Sequence, residues 1–212
     1  MAVYSKLDMD PANSSAIRYA ENVTGAAFTL TQTTSGDGLA RHVLITNDAA
    51  RDDTAITITV VGTDADGKAQ TETIAGPSTS TTTVTTKFFQ TVTSVTPVST
   101  IGASTWDIGY DDIIASKTIP LNSLSGYPAV AAVNVTGTIA FDVEVTYDLV
   151  NSPDFTWTDQ STPVWINATN ITNKTANIIG ELDIGAQAAR VLINSYTETA
   201  ELQVWISQTE SI

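Results

Sequence analysis

Residues 54 to 61 read Thr-Ala-Ile-Thr-Ile-Thr-Val-Val, with Ile56, Ile58 and Val60 in one phase and Thr57 and Thr59 in the other. Successive side chains on a strand point to opposite faces, so this alternation of β-branched residues predicts a half-buried β-strand. Gly62 to Gly67 follows, dense in the Gly and Asp that accept the positive φ of hairpin turns. Lys68 to Ile74 then returns as a polar strand and stops at Gly76-Pro77. The same scheme recurs along the chain. Leu39 to Asn47 sets Val43 and Ile45 on one side and Leu44 on the other. Phe88 to Pro97 carries Val92 and Val95 out of phase by one residue, which predicts a bulge. Thr105 to Tyr110 aligns Trp106, Ile108 and Tyr110. Ala129 to Val135 and Thr138 to Val150 predict a hairpin around Gly137. In its second strand Ile139, Phe141, Val143 and Val145 oppose Asp142, Glu144 and Thr146, so one face is expected to meet water. Pro153 to Asp159 and Pro163 to Thr169 predict short strands bearing tryptophan, and a last hairpin pairs Ala189 to Tyr196 with Glu201 to Gln208.

No segment has a convincing amphipathic helical period; Glu181 to Ala189 offers one or two turns at most. The expected fold is all-β, a β-sandwich of jelly-roll or immunoglobulin-like type, built as one sandwich or as two small β-units. All seven prolines lie outside these strands or at their ends, where a missing N–H breaks no ladder. Residues 1 to 38 show no sustained period beyond one short strand at Ala26 to Gln32. They read either as a poorly ordered terminus or as an extended N-terminal arm that packs on a neighbouring subunit. The expected division is arm 1–38, first β-domain 39–115 and second β-domain 116–212, with the Pro-, Ser- and Asn-bearing stretch Asp111 to Tyr127 at the boundary. Ser78 to Thr86 is nearly all Ser and Thr, a flexible loop or an exposed edge.

Charge changes the picture of what the chain meets. Nine Lys plus Arg stand against 23 Asp plus Glu among 212 residues, a formal net charge of −14. Nucleic-acid affinity rests on cations that neutralise phosphates, so no DNA or RNA partner is expected. The acidity keeps copies soluble and mutually repelling until specific contacts hold them. There is no cysteine, which excludes disulfides and thiolate metal sites and fits a protein made in a cytoplasm. No run approaches the ~18 apolar residues of a membrane helix, and residues 1 to 10 lack a secretory signal's apolar core.

Candidate chemistry is sparse. His42 is the only histidine, so a Ser–His–acid group would have to use it. It sits mid-strand with no nucleophile-elbow pattern in the chain, which favours a structural or surface role. Asp64-Ala65-Asp66-Gly67 hints at a calcium loop, but setting Gly67 at the sixth position puts Gly62 first and Thr73 twelfth, where oxygen-rich acids are needed. A hairpin turn is the better reading, and neither a metal nor a cofactor is expected. The sequons at Asn167, Asn170 and Asn173 read as turn and strand-end residues. Among Trp106, Trp157, Trp165 and Trp205, the loop-borne Trp157 and Trp165 are the candidate ligand or interface aromatics.

The run from Ala55 through Ile56-Thr57-Ile58-Thr59-Val60-Val61-Gly62-Thr63-Asp64-Ala65-Asp66-Gly67-Lys68-Ala69-Gln70-Thr71-Glu72-Thr73-Ile74 to Pro77 resembles a segment of virion structural proteins from tailed bacteriophages. Its continuation, Thr85-Thr86-Lys87-Phe88-Phe89-Gln90-Thr91-Val92-Thr93-Ser94-Val95, is similar to them too, with slight departures at Phe89 and Gln90. The resemblance covers roughly residues 40 to 110 and leaves the C-terminal half unmatched. It implies a non-enzymatic part of the particle, located in the virion, whose partners are the major capsid protein or other virion subunits. Acidity argues against a DNA-facing lining, so a capsid decoration or cement protein on the outside of the head, as a homotrimer, is the first expectation. A tail-associated adaptor or fibre-attachment protein and a carbohydrate-binding host-recognition module are the alternatives.

Overall fold

Strand follows strand throughout the computed structural model, which describes residues 2–123, 127–148 and 163–208. No helix occurs among them, and the architecture is an all-β sandwich built from antiparallel sheets. The chain divides into two compact units, Asp10–Ile114 and a second made of Met1–Met9 with Ala115–Ile212.

The unit Asp10–Ile114 contains β2 (Asn13–Glu21), β3 (Ala40–Asn47), β4 (Thr57–Thr63), β5 (Ala69–Ala75), β6 (Thr82–Val84), β7 (Thr91–Pro97) and β8 (Trp106–Ala115). One sheet runs β8-β3-β6 with β2 against β8, and the other runs β5-β4-β7. Ile58 and Val60 of β4 are sealed from solvent with Val43, Ile45, Phe89, Val92, Val95, Trp106 and Ile108 in one apolar cluster. The β4–β5 hairpin closes as the sequence predicts: Asp64 donates its N–H to the Lys68 carbonyl, and Gly67 takes a φ of 78°. Val92 and Val95 are both buried because the β4–β7 register slips between Val61 and Gly62. A bulge restores an out-of-phase side chain to the core. The Ser/Thr run is an exposed edge, with Leu44, Ile45 and Thr46 pairing Val84, Thr83 and Thr82.

The other unit holds β1 (Ala2–Asp8), β9 (Ile119–Pro120), β10 (Ala129–Thr136), β11 (Ile139–Thr146), β12 (Ile166–Asn167), β13 (Ile178–Glu181), β14 (Ala188–Tyr196) and β15 (Glu201–Gln208). Its first sheet has the order β1-β15-β10-β13, and its second carries β12-β11-β14, with β9 also on β14. Ala131, Val133, Leu202, Val204 and Ile206 of the first sheet are buried, as are Phe141, Val143, Val145, Val191 and Ile193 of the second.

Four expectations are corrected. Residues 1 to 38 are not an arm: β1 pairs β15 over seven positions from Ala2↔Ser207 to Asp8↔Glu201, and β2 pairs β8 with Ile17 fully buried. The short strand at 26–32 is absent, although Phe28 and Thr31 donate to the Val95 and Ile17 carbonyls. The cuts at 38 and 115 give way to a unit, Asp10–Ile114, inserted in sequence between β1 and the strands β9 to β15. Finally, the acidic face of β11 does not meet water. Asp142 and Glu144 are 6% and 9% exposed and Thr146 is sealed, because residues 168–174 run alongside β11 through bonds such as Phe141 N–H to the Lys174 carbonyl.

Candidate functional site

Each unit holds a buried polar centre among its described residues. The first begins on β3. Arg41 shares the inward phase of Val43 and Ile45, and its residue is 1% exposed. A guanidinium there is tolerable only if its donors are met. Nη1 donates to the Asp111 carbonyl at 2.7 Å, and Nη2 donates to the Asp10 carbonyl at 2.6 Å and to Asp37 Oδ2 at 2.5 Å. Asp37 is held in turn by the N–H groups of Asp10 and Leu39, each at 3.0 Å. Burial raises the carboxyl pKa of Asp37, but Arg41, these two amides and Ser35 outweigh it, and the net shift is downward.

Asp111 behaves in the opposite way. Burial pushes its carboxyl up to about 6, only partly countered by the amides of Ile113 and His42 and by the Arg41 charge. The Tyr110 hydroxyl is buried with no hydrogen-bond partner among the described residues. Burial raises its pKa above the ordinary value, with Arg41 pulling it down and Asp37 adding to the rise. His42 sets its ring edge-on to Phe88, 4.1 Å between centroids, and its Nδ1 lies 4.0 Å from Asp111 Oδ2. That separation is too long for a hydrogen bond. The Ser35 hydroxyl donates to the Leu39 carbonyl at 2.9 Å. The centre therefore ties three stretches of backbone to one strand. Its geometry is that of a clamp.

The second centre lies on β11 and β14. Glu144 and Arg190 are cross-strand partners, with Nε donating to Oε2 at 2.6 Å. The Arg190 guanidinium carbon sits 4.5 Å from the centre of the Trp165 ring. Asp142 accepts from Asn194 Nδ2 at 2.8 Å and from the Asn173 N–H.

Of the two tryptophans singled out by sequence, Trp165 is half-buried with one ring face occupied by Arg190. Trp157 lies outside the described residues. Trp106 is core, and its indole Nε1 donates to the buried Asp53 at 3.2 Å. Trp205 is 41% exposed on β15. In the Asp64 turn, Oδ1 accepts the N–H groups of Asp66 and Lys68, both at 2.9 Å, so the carboxylate serves the turn. Among the described residues no group of three or more His, Asp or Glu side chains is placed to hold a metal ion. The arginine clamp is absent from the sequence reading, although an arginine in phase with Val43 and Ile45 is itself the signal of a buried ion pair.

No family model matches the chain, and no curated protein matches it. Among solved structures it is similar to the major capsid protein P2 of bacteriophage PM2, with a TM-score of 0.21 and 10% identity over 99% of this chain and 100% of that one. A likeness at that TM-score carries no argument about fold or function.

Proposed function

We propose that this protein is a non-enzymatic structural component of a tailed-bacteriophage virion, and specifically a decoration protein on the outside of the head. The observation that carries the reading is the segment Ala55 to Val95, whose sequence resembles such virion proteins. Its β6 pairs β3, while β4, β5 and β7 form the β5-β4-β7 sheet, with Ile58, Val60, Val92 and Val95 buried beneath it. Its opposite face is uncharged and hydroxyl-rich: Thr59 contacts Thr73 at 3.5 Å, and Thr63 contacts Thr91 at 2.7 Å. Faces of this kind suit packing against another subunit, because desolvating hydroxyls that already pair with one another costs little.

Two further points support the reading. The net charge of −14 disfavours a position against packaged nucleic acid and suits the particle exterior. The polar centre around Arg41 and the pair Glu144–Arg190 spend their hydrogen bonds on holding backbone and neighbouring strands. The partner is the major capsid protein or another virion subunit. Counting this polypeptide in purified particles by quantitative mass spectrometry tests the proposal. Decoration requires on the order of hundreds of copies, a tail component about a dozen, and absence from the particle overturns both.

A further inference from the structure

The outer face of the β1-β15-β10-β13 sheet carries an apolar row across β15, β10 and β13. Register places Tyr4 beside Trp205, Trp205 beside Ala132, and Ala132 beside Ile179. Ile179 is 77% exposed and Trp205 41%. Between these two large side chains the small Ala132 leaves a groove of about 360 Å³, also lined by Asn134, Asn177 and Ile178. Contiguous apolar surface of this kind on a strongly charged chain marks an interaction site.

We propose that this face is a two-fold interface with a second copy of the same chain. The register makes the face self-complementary. A two-fold axis parallel to the strands, running between β15 and β10, lays β15 over the partner's β10 and β1 over the partner's β13. Trp205 then fills the groove over the partner's Ala132, and the partner's Trp205 fills the first copy's groove. The register position of Tyr4 meets the partner's Ile179. Big meets small twice, by symmetry.

Charge points to the same occupant. In a chain of net charge −14, copies can meet only where carboxylates do not oppose one another. Across this axis Glu201 opposes the partner's Thr136 and Glu181 opposes the partner's Ala2, as the pairings Glu201↔Thr136, Val130↔Ser207 and Val130↔Glu181 dictate. Lys6 is already held by Asp8 and Glu201, each at 3.0 Å. Two sheets laid together about an axis parallel to their strands keep their strand directions aligned, within the range of aligned sheet packing. Three strands of about seven residues and the four-residue β13, at ~3.3 Å per residue and ~4.8 Å between strands, give a face of roughly 400 Å², hence about 800 Å² for the pair. That is under the ~1,200 Å² of a standard interface, so the dimer is weak and reversible. A two-fold replaces the three-fold expected from sequence, and the inference stands independently of any role in a virion.

Sedimentation velocity of the purified full chain over a rising concentration series tests it. Wild type should move from monomer to dimer. Ile179→Glu, exposed on an edge strand and so compatible with folding, should weaken association by more than about tenfold, because the carboxylate would be buried against an apolar neighbour. Ala132→Trp, which would fill the groove from its own chain and displace the partner's Trp205, should likewise weaken association by more than about tenfold. Tyr19→Glu, at an exposed aromatic of β2, should leave it unchanged. A wild type that stays monomeric at every concentration, an Ile179→Glu or Ala132→Trp chain that associates as wild type does, or a Tyr19→Glu control that loses association as Ile179→Glu does overturns the proposal.

Discussion

The Arg41 guanidinium donates from Nη2 to Asp37 Oδ2 at 2.5 Å, with side chains only 1% and 3% exposed. A buried ion pair contributes little net stability over an apolar replacement, but breaking one partner leaves an uncompensated charge. Arg41→Met should therefore cost roughly 3–5 kcal/mol in denaturant unfolding. It also strips hydrogen bonds from the Asp10 and Asp111 carbonyls. Adding Asp37→Leu to Arg41→Met should recover part of the loss, as the stranded carboxylate is removed. A loss under about 1 kcal/mol for Arg41→Met would show that the clamp holds nothing.

The same centre makes stability depend on pH, with two carboxyls working in opposite directions. Asp111 titrates near 6 in the folded chain against an ordinary value of 3.8. Its folded state holds the proton more tightly, so its contribution is fully present below about pH 4 and lost as pH rises through about 6. Asp37 is shifted downward, so its contribution is present above 3.8 and lost as pH falls through its lower folded value. Asp111→Asn should accordingly stabilise the protein at pH 7 and flatten the stability curve between pH 4 and 6. Equal gains at pH 4 and pH 7 would contradict this.

Gly62 and Gly67 separate two reasons for glycine. A Cβ on Gly62 would fall on the Thr91 carbonyl and meet the Phe89 ring, at the bulge where β4 and β7 change register. Backbone cannot yield there, so Gly62→Ala should cost about 4 kcal/mol or prevent folding. Gly67, at a φ of 78° with nothing within 4 Å, should cost only about 1 kcal/mol on change to Ala, from the left-handed backbone alone. Thermal unfolding of the two variants side by side is the check. Comparable losses would sink the distinction.

Deleting residues 1 to 38 should abolish folding. The cut removes β1 from the edge of β15, Ile17 from the core, and both Asp10 and Asp37 from the Arg41 clamp. A truncated chain with native circular dichroism and a cooperative melt would restore the reading of this stretch as a detachable arm.

Most strands are legible in the sequence because alternation is a local signal. Ile56, Ile58 and Val60 are buried with Thr57 exposed, and Leu202, Val204 and Ile206 are buried with Trp205 exposed. What escapes is decided at long range. In β2 only Ile17 is fully buried, and its irregular register depends on β8, about ninety positions away. The Asp142–Glu144 face reads as solvated because polar residues alternate with apolar ones. Its partners Arg190, Asn194 and Asn173 arrive from elsewhere in the chain and turn a wet face into a buried network. The apolar row of Trp205, Ala132 and Ile179 is likewise invisible until pairing sets three strands side by side.

Locating this polypeptide in the particle by electron cryomicroscopy, with density fine enough to trace strands, tests the central claim most directly. The account predicts repeated all-β density on the outer surface of the head, into which the β5-β4-β7 sheet and the β1-β15-β10-β13 sheet fit without rebuilding. Density confined to the tail would contradict the decoration role, and particles with no such density would contradict a structural role in the virion altogether.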